Sequence, residues 1–410
     1  MSNLLFKNFS WSFSGSLIYA LSQWFLLIII TQIGSPYYAG VYSLGLALSA
    51  PIIMFINLNF RDLQSTDLSV IYGFRTFKLA RLMGIGLFSI LFFLIILIAD
   101  YKYEIAIVLI IIALNKVVES YSDLYYGLFQ FNERLDLVSI SIIIRGVIGT
   151  IFFGIGYYFF QDLTIALIFM LFVWSMNLLI FDIKKGKQFI SVAPSKKPNI
   201  SVMNLIKIGL PLGNIGFIAS LSVNVPRLAI ESYLTIEDLG YFASVFYLVL
   251  IIGKFMTSLA SAILPRMARL YQNGEKNSFL KILGAITIIL TVFSIIIIVI
   301  SIVLGSEILK VAYGSEYAAY GSLLVYIMVY GLFDNLGFVF EVALNAMKYY
   351  KYRLNIEIIT TLIMILTSIY FIPEMGLMGA ALSLIISSII KLVLLSLLFV
   401  KTFIKGLRSG

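Results

Sequence analysis

The sequence predicts an all-α integral membrane protein: twelve transmembrane helices in two pseudo-symmetric six-helix bundles around a central cavity. Three observations predict it. The 410 residues are 61% hydrophobic and 12% charged, with a mean hydropathy of +1.03, well above the roughly 45–50% apolar content of soluble domains. Apolar runs such as LFSILFFLIILIA and ITIILTVFSIIIIVISIVLG recur along the whole length, and about 20 such residues let one helix cross the hydrocarbon. The two halves also echo each other. KNFSWSFSGSLIYALS (7–22) parallels KIGLPLGNIGFIASLS (207–222), PYYAGVYSLGLAL (36–48) parallels IEDLGYFASVFYL (236–248) with Gly40 over Gly240, and ERLDLVSISII (133–143) parallels YRLNIEIITTL (352–362).

A window of about 19 residues places the spans at 10–31, 37–59, 79–99, 105–130, 136–159, 163–182, 205–230, 238–263, 282–304, 317–346, 353–372 and 376–402. The basic residues between them set the orientation. Lys7 precedes the first span. Arg61, Arg75 and Lys78 fall between the second and third, with Arg81 counted to that loop at the very start of the third, and Arg134 between the fourth and fifth. Lys184, Lys185, Lys187, Lys196, Lys197 and Lys207 follow the sixth. Arg266, Arg269, Lys276 and Lys281 follow the eighth, Lys348, Lys351 and Arg353 the tenth, and Lys401, Lys405 and Arg408 the last. All of these lie on one side, and only Lys102 and Lys310 lie on the other. Basic loops stay in the cytoplasm, so a multi-pass protein of the cytoplasmic membrane with both termini inside is expected. The net charge of +9 mostly encodes this topology and gives no support to nucleic-acid binding. The N-terminus lacks a short apolar core with a small-residue cleavage site, so the first span is expected to be retained.

The basic stretch KKGKQFISVAPSKKPNI (184–200) splits the spans six and six. It predicts an N-lobe over 1–183, a cytoplasmic linker over 184–204 and a C-lobe over 205–410. Each lobe holds an even number of spans, so the copies enter from the same side as parallel repeats, the architecture of two-lobed transporters.

Charges inside spans cost roughly 2.5–3.5 kcal/mol on insertion scales and normally face a bundle interior or a wet cavity. Apart from the basic residues at span ends that are counted with the loops, five lie inside spans: Lys116, Arg145, Arg227, Lys254 and Lys391. Helical spacing groups polar residues into single faces. Span 4 carries Lys116, Glu119, Asp123, Tyr126 and Gln130. Span 7 carries Gly216, Ser220, Asn224, Arg227 and Glu231, and span 8 carries Ser244, Tyr247, Lys254, Ser258 and Ser261. Span 10 carries Tyr326, Tyr330, Asp334, Glu341 and Asn345, and span 1 the milder Ser12, Ser16, Tyr19 and Gln23. A shared aqueous cavity explains all five faces.

The candidate cations for an anionic passenger are Arg145, Lys254, Lys116 and Arg227. Glu119, Asp123, Asp334 and Glu341 are candidate charge partners or sites of ion coupling. Tyr19, Gln23, Tyr247, Tyr326, Tyr330 and Asn224 complete the polar and aromatic lining. Arg145 lies about as deep as Asp123 and Glu119, so a helix-holding ion pair and a cavity-facing role are both open. Lys116 can pair with Glu119 on its own face, Arg227 can sit near the outer rim, and Lys391 reads as a peripheral, snorkelling lysine. Tyr37, Tyr38, Tyr101 and Tyr157 read as interfacial belts. Pro51, and Pro211 with Gly209 and Gly213, are expected to interrupt or kink spans 2 and 7.

Several classes are excluded. Cysteine and histidine are absent, which removes disulfides, thiolate and imidazole catalysis and the usual zinc sites. No GxxxxGK[ST] occurs, so built-in ATP hydrolysis is not expected, and the outer loops leave no room for a catalytic domain. Neither a catalytic residue nor a metal site nor a cofactor is assigned, and proton or sodium coupling stays open.

The chain resembles polysaccharide repeat-unit (lipid-linked oligosaccharide) flippases of the multidrug, oligosaccharidyl-lipid and polysaccharide exporter superfamily. The stretches that carry the resemblance are TQIGSPYYAGVYSLGLA (31–47), INLNFRDLQSTD (56–67), LTIEDLGYFASVFYLV (234–249), LASAILPRMARLYQNG (259–274), VAYGSEYAAYGSLL (311–324), ALNAMKYYKYRLN (343–355) and FIPEMGLMGAALSLIISSIIKLVL (371–394). The resemblance implies a monomeric, non-enzymatic carrier. It would move polyprenyl-pyrophosphate-linked glycans from the inner to the outer leaflet by alternating access, with an opening toward the lipid for the prenyl tail, for capsule, O-antigen or cell-wall polysaccharide. Its implied partners are that lipid-linked glycan, the bilayer and the polysaccharide polymerase or export machinery. The rivals are a multidrug or organic-cation antiporter of the same superfamily, which would want an acid in the first span, and a membrane glycosyltransferase or polymerase.

Overall fold

The structure, a computed structural model, describes residues 2–67, 72–190, 201–347, 349 and 353–408, without the side chains of 2–6, 9, 254–262, 265, 353 and 405–408. The part of the linker that bears Pro194 and Pro198 therefore lies outside the described residues. Every regular element among them is helical. The N-terminal half contains α1 (Ser2–Ile33), α2 (Pro36–Asn57), α3 (Phe60–Thr66), α4 (Phe74–Ala99), α5 (Tyr103–Phe131), α6 (Leu135–Ile143), α7 (Gly149–Phe160), α8 (Leu163–Asn177) and α9 (Lys184–Ile190). Next come α10 (Val202–Tyr233), α11 (Ile236–Gln272), α12 (Lys276–Tyr313), α13 (Gly321–Ala346), α14 (Arg353–Met375) and α15 (Leu377–Arg408). Among the described residues, twelve helical stretches are long and apolar enough to cross a membrane, matching the number expected from the sequence.

The most apolar spans are the least buried. Phe74–Ala99 and Lys276–Tyr313 reach mean hydropathies of 2.9 and 3.2, yet only 17% of each window is buried. Lipid tails are as apolar as leucine, so uniformly apolar helices belong at the periphery and polar-striped ones inside.

The chain divides into two compact units, residues 1–224 and 225–410, with the division inside α10. In the first, α5 packs against α2, α3, α4 and α8, while α1 lies along α6 and α7. The start of α10 closes this unit: Leu205 packs with Leu58, Phe60, Phe77, Ala80 and Leu124. In the second unit α13 is central, packed against α11, α12 and α15, and α14 lies on α15. Phe279, Phe399 and Phe403 hold one end of it, with ring centroids 5.4–6.4 Å apart. A capping box at Thr235 and Asp238 starts α11 by satisfying free N–H groups of its first turn.

Two expectations about helix breaks are corrected. Backbone helix continues through Pro51 in α2 and through Pro211 in α10, since neighbouring helices can re-satisfy the backbone that proline frees. Gly209 and Gly213 serve close packing instead: a Cβ would stand 2.8 Å from Leu58 Cβ at the first and 2.7 Å from the Phe55 carbonyl oxygen at the second. The irregular turns lie elsewhere, as π-helical segments at Ile144–Ile148, joining α6 to α7, and Leu178–Ile183, joining α8 to α9. Each carries a buried charged residue, Arg145 in one and Asp182 in the other.

Candidate functional site in the N-terminal unit

The site is built on α5, whose residues Lys116, Glu119, Asp123, Tyr126 and Gln130 share one helical face. Glu119 accepts hydrogen bonds from Lys116 Nζ at 2.8 Å, Arg145 Nη2 at 3.0 Å and the Tyr19 hydroxyl at 3.2 Å. One turn further, Asp123 accepts from Arg81 Nη2 at 3.1 Å and pairs with Arg61 Nη1 at 3.7 Å. Arg61 Nε also donates to Gln130 Oε1 at 3.0 Å. Each carboxylate on this face is thus flanked by two cations.

Tertiary packing delivers those cations. Leu58 and Asn59 both adopt left-handed backbone, φ 50°, which turns the chain sharply from α2 into the short α3 and carries Arg61 to α5. Arg81 comes from α4, fully buried, and donates to Asn57 Oδ1 and to Ser120 Oγ at 3.3 Å. This corrects its placement in a loop. Arg145 stands in an aromatic cage, its guanidinium 4.9 Å from the Trp174 ring centroid, 5.3 Å from Tyr19 and 5.8 Å from Tyr126, positions where ring faces attract a cation. The cage closes around its backbone as well: Trp174 Nε1 donates to the Arg145 carbonyl at 3.1 Å. Gly149 is required there, because a Cβ would stand 2.7 Å from that indole nitrogen.

Exposure separates two roles. Arg145 and Arg81 are buried, at 3% and 0%. Lys116, Glu119, Asp123 and Arg61 keep between 21% and 31% of their side-chain surface exposed. Lys116 and Arg61 are therefore the partly exposed cations of this face, and Arg145 and Arg81 back them through the shared carboxylates. Behind Arg145 lies a third carboxylate, Asp182, which is fully buried. Even with Asp182 counted, Arg61, Arg81, Lys116 and Arg145 outnumber Glu119, Asp123 and Asp182.

Other expected residues fall elsewhere. Gln23 stands one turn beyond Tyr19 on α1 and is partly buried, and Asn224 is buried, its amide donating to the Ser220 carbonyl at 2.8 Å. In the second unit Arg227 is buried with its guanidinium 5.2 Å from the Phe246 ring, close to Tyr247 and Tyr330, and Tyr330 stacks on Phe246 at 5.9 Å. Tyr326 is exposed. The Lys254 side chain lies outside the described residues. Asp334 and Glu341 gather with Glu357 around Lys391, whose Nζ lies 3.1 Å from Glu357 Oε1. A snorkelling Lys391 is thus corrected: α14 offers it a buried carboxylate. The sequence reading missed Arg61, Arg81, Asp182, Trp174 and Glu357. A signal existed for Arg61, which lies in the INLNFRDLQSTD stretch, and none beyond composition for the rest.

Comparisons with known proteins agree with this architecture. Residues 5–271 match the family described as polysaccharide biosynthesis protein. The chain is 26% identical over 388 residues to the capsular polysaccharide biosynthesis protein CapF of Staphylococcus aureus, covering 94% of this chain and 97% of that one. Among solved structures, a point mutant of the Vibrio cholerae MATE transporter VcmN superposes with a TM-score of 0.65 at 13% identity, covering 100% of this chain and 98% of that one. A MOP superfamily transporter from Pyrococcus furiosus, described as having a binding pocket of reverse polarity, gives 0.64 at 11% identity, covering 98% and 96%. With twelve candidate membrane spans among the described residues, a MATE-like fold and a family match over well more than half its length, the chain belongs to the polysaccharide biosynthesis protein family.

Proposed function

We propose that the protein flips polyprenyl-pyrophosphate-linked oligosaccharide units from the inner to the outer leaflet of the cytoplasmic membrane by alternating access, both termini being cytoplasmic. The lobes would be 1–183 and 205–410. The observation that carries the reading is the excess of cations on the α5 face, where Lys116 and Arg61 are partly exposed and backed by buried arginines. A pyrophosphate cannot enter hydrocarbon unpaired. Fixed cations replace its water while the prenyl tail stays in the bilayer. With the cytoplasm negative, outward movement of anionic charge is favoured by about 2.3 kcal/mol per charge per 100 mV. The family membership and the likeness to CapF support a polysaccharide role. An organic-cation antiporter fits less well, since α1 carries no carboxylate and the N-terminal site is cationic.

The test is reconstitution in proteoliposomes with a defined polyprenyl-pyrophosphate oligosaccharide, scoring the fraction of headgroups that becomes accessible on the far leaflet. Protein-dependent exposure of the pyrophosphate-linked sugar is expected. Exposure no faster than in protein-free vesicles, in a preparation that remains folded, would overturn the proposal.

A further inference from the structure

A small cavity of the N-terminal unit lies where the residues after α3 meet the start of α4, the end of α5 and α9. It holds about 30 Å³, the scale of one water or one ammonium group. Gln64 forms its floor. That residue is 6% exposed, and its Oε1 has no hydrogen-bond partner. Gly127 leaves room for the oxygen, which rests against bare α5 backbone where any Cβ would collide with it. Asp67 stands at the partly exposed rim, its Oδ2 accepting from the Tyr72 N–H at 2.8 Å. Rings supply most of the remaining lining: Tyr72, Phe74 and Phe77 around the start of α4, Phe131 at the end of α5 and Phe189 on α9.

A buried acceptor without a donor calls for an unseen partner, and the lining gives that partner its sign. An amide oxygen and a carboxylate accept hydrogen bonds, and aromatic ring faces attract cations. A primary ammonium, with three donors and no acceptor, matches this set better than a water. A trimethylated ammonium is too large for the space and has no N–H to give Gln64. The surroundings identify what carries the ammonium. Arg75 and Lys78 of α4 are exposed, and next to them Leu79, Leu82 and Met83 are 44%, 44% and 56% exposed on a candidate membrane span. Those two cations, with exposed Lys184, Lys185 and Lys187 of α9, would repel a free amine. A phosphate joined to the amine turns that repulsion into attraction.

We propose that this cavity binds the primary ammonium of an aminophospholipid headgroup, with the lipid phosphate at Arg75 and Lys78 and the acyl chains along the exposed apolar face of α4. Cavity, basic pair and apolar face then meet the three parts of one zwitterionic lipid. The lipid is a component of the bilayer and not the passenger, so this site stands or falls independently of the flippase reading.

The test is native mass spectrometry of the full chain in detergent, with phosphatidylethanolamine, phosphatidylcholine and phosphatidylglycerol of identical acyl chains added in turn. The wild type is expected to retain the ethanolamine lipid at least fivefold more than either of the others. Gln64→Met and Asp67→Asn should each bring the ethanolamine-to-choline ratio close to one, and a ratio cancels any change in stability common to both lipids. Arg75→Gln with Lys78→Gln should lower retention of the ethanolamine lipid several-fold. Equal retention of the ethanolamine and choline lipids means that the cavity holds water only, and equal retention of the glycerol lipid means that the basic residues act alone. Either result overturns the proposal, as does a selectivity unchanged in both Gln64→Met and Asp67→Asn. Ethylamine separates the two sources of an ammonium. If it raises the unfolding temperature while the ethanolamine lipid is not retained, the cavity takes a soluble amine and the lipid assignment falls.

Discussion

The two units bury charge in opposite proportions. In the N-terminal unit, Glu119 and Asp123 each sit between two cations on one face of α5. In the C-terminal unit, among the described residues, Lys391 gathers Glu357, Glu341 and Asp334 around it from α13 and α14, while buried Arg227 stands apart against Phe246. The difference teaches that a carboxylate can be buried by sharing it between cations, as on α5, or a lysine by surrounding it with carboxylates, as on α15. On the proposed function, the cation-rich face of α5 is the part of the N-terminal unit that would meet an anionic headgroup.

The largest expected effect comes from removing the shared carboxylate. Glu119→Ala leaves buried Arg145 without its carboxylate, and breaking a buried pair costs about 3–5 kcal/mol. Loss of monodisperse protein in size-exclusion chromatography is expected, with partial recovery in Glu119→Ala combined with Arg145→Leu. If Glu119→Ala behaves like the wild type, the caged arginine is not held as described.

Next in size is a transport defect without a folding defect. Arg145→Ala should leave the protein inserted but lower headgroup exposure in proteoliposomes at least tenfold, because Lys116 and Glu119 lose their backing. Lys116→Ala and Arg61→Ala, at partly exposed positions, should each cost several-fold with unchanged unfolding temperature. Glu357→Gln in the C-terminal unit should lower stability and change pyrophosphate affinity less than twofold; a larger change in affinity would erase the contrast between the units. The smallest effect is expected for Arg134→Ala. Its pair with Asp136, 2.7 Å at the surface with Arg134 47% exposed, is of a class worth about 0–1 kcal/mol, and thermal unfolding should barely move.

The N-terminal site was half legible in the sequence for a physical reason. Lys116, Glu119 and Asp123 share a face by helical spacing, and Arg145 falls at their depth, so local geometry alone brings them together. Arg81 and Asp182 hid because each stands at the end of a span as the sequence predicts it, beside basic residues, Lys78 for one and Lys184 with Lys185 for the other, where composition reads as loop. Lys391 and Glu357 are lone charges on separate helices, and only the packing of α14 on α15 makes them a pair. The π-helical turns have no compositional mark at all, and Pro51 and Pro211, whose chemistry predicts breaks, lie in continuous helices.

Native mass spectrometry with a polyprenyl pyrophosphate tests the central claim most directly. The account predicts that Lys116→Gln with Arg61→Gln lowers the lipid-bound fraction at least tenfold, while Lys391→Gln changes it less than twofold. Equal losses in the two variants, or a loss confined to Lys391→Gln, would contradict it.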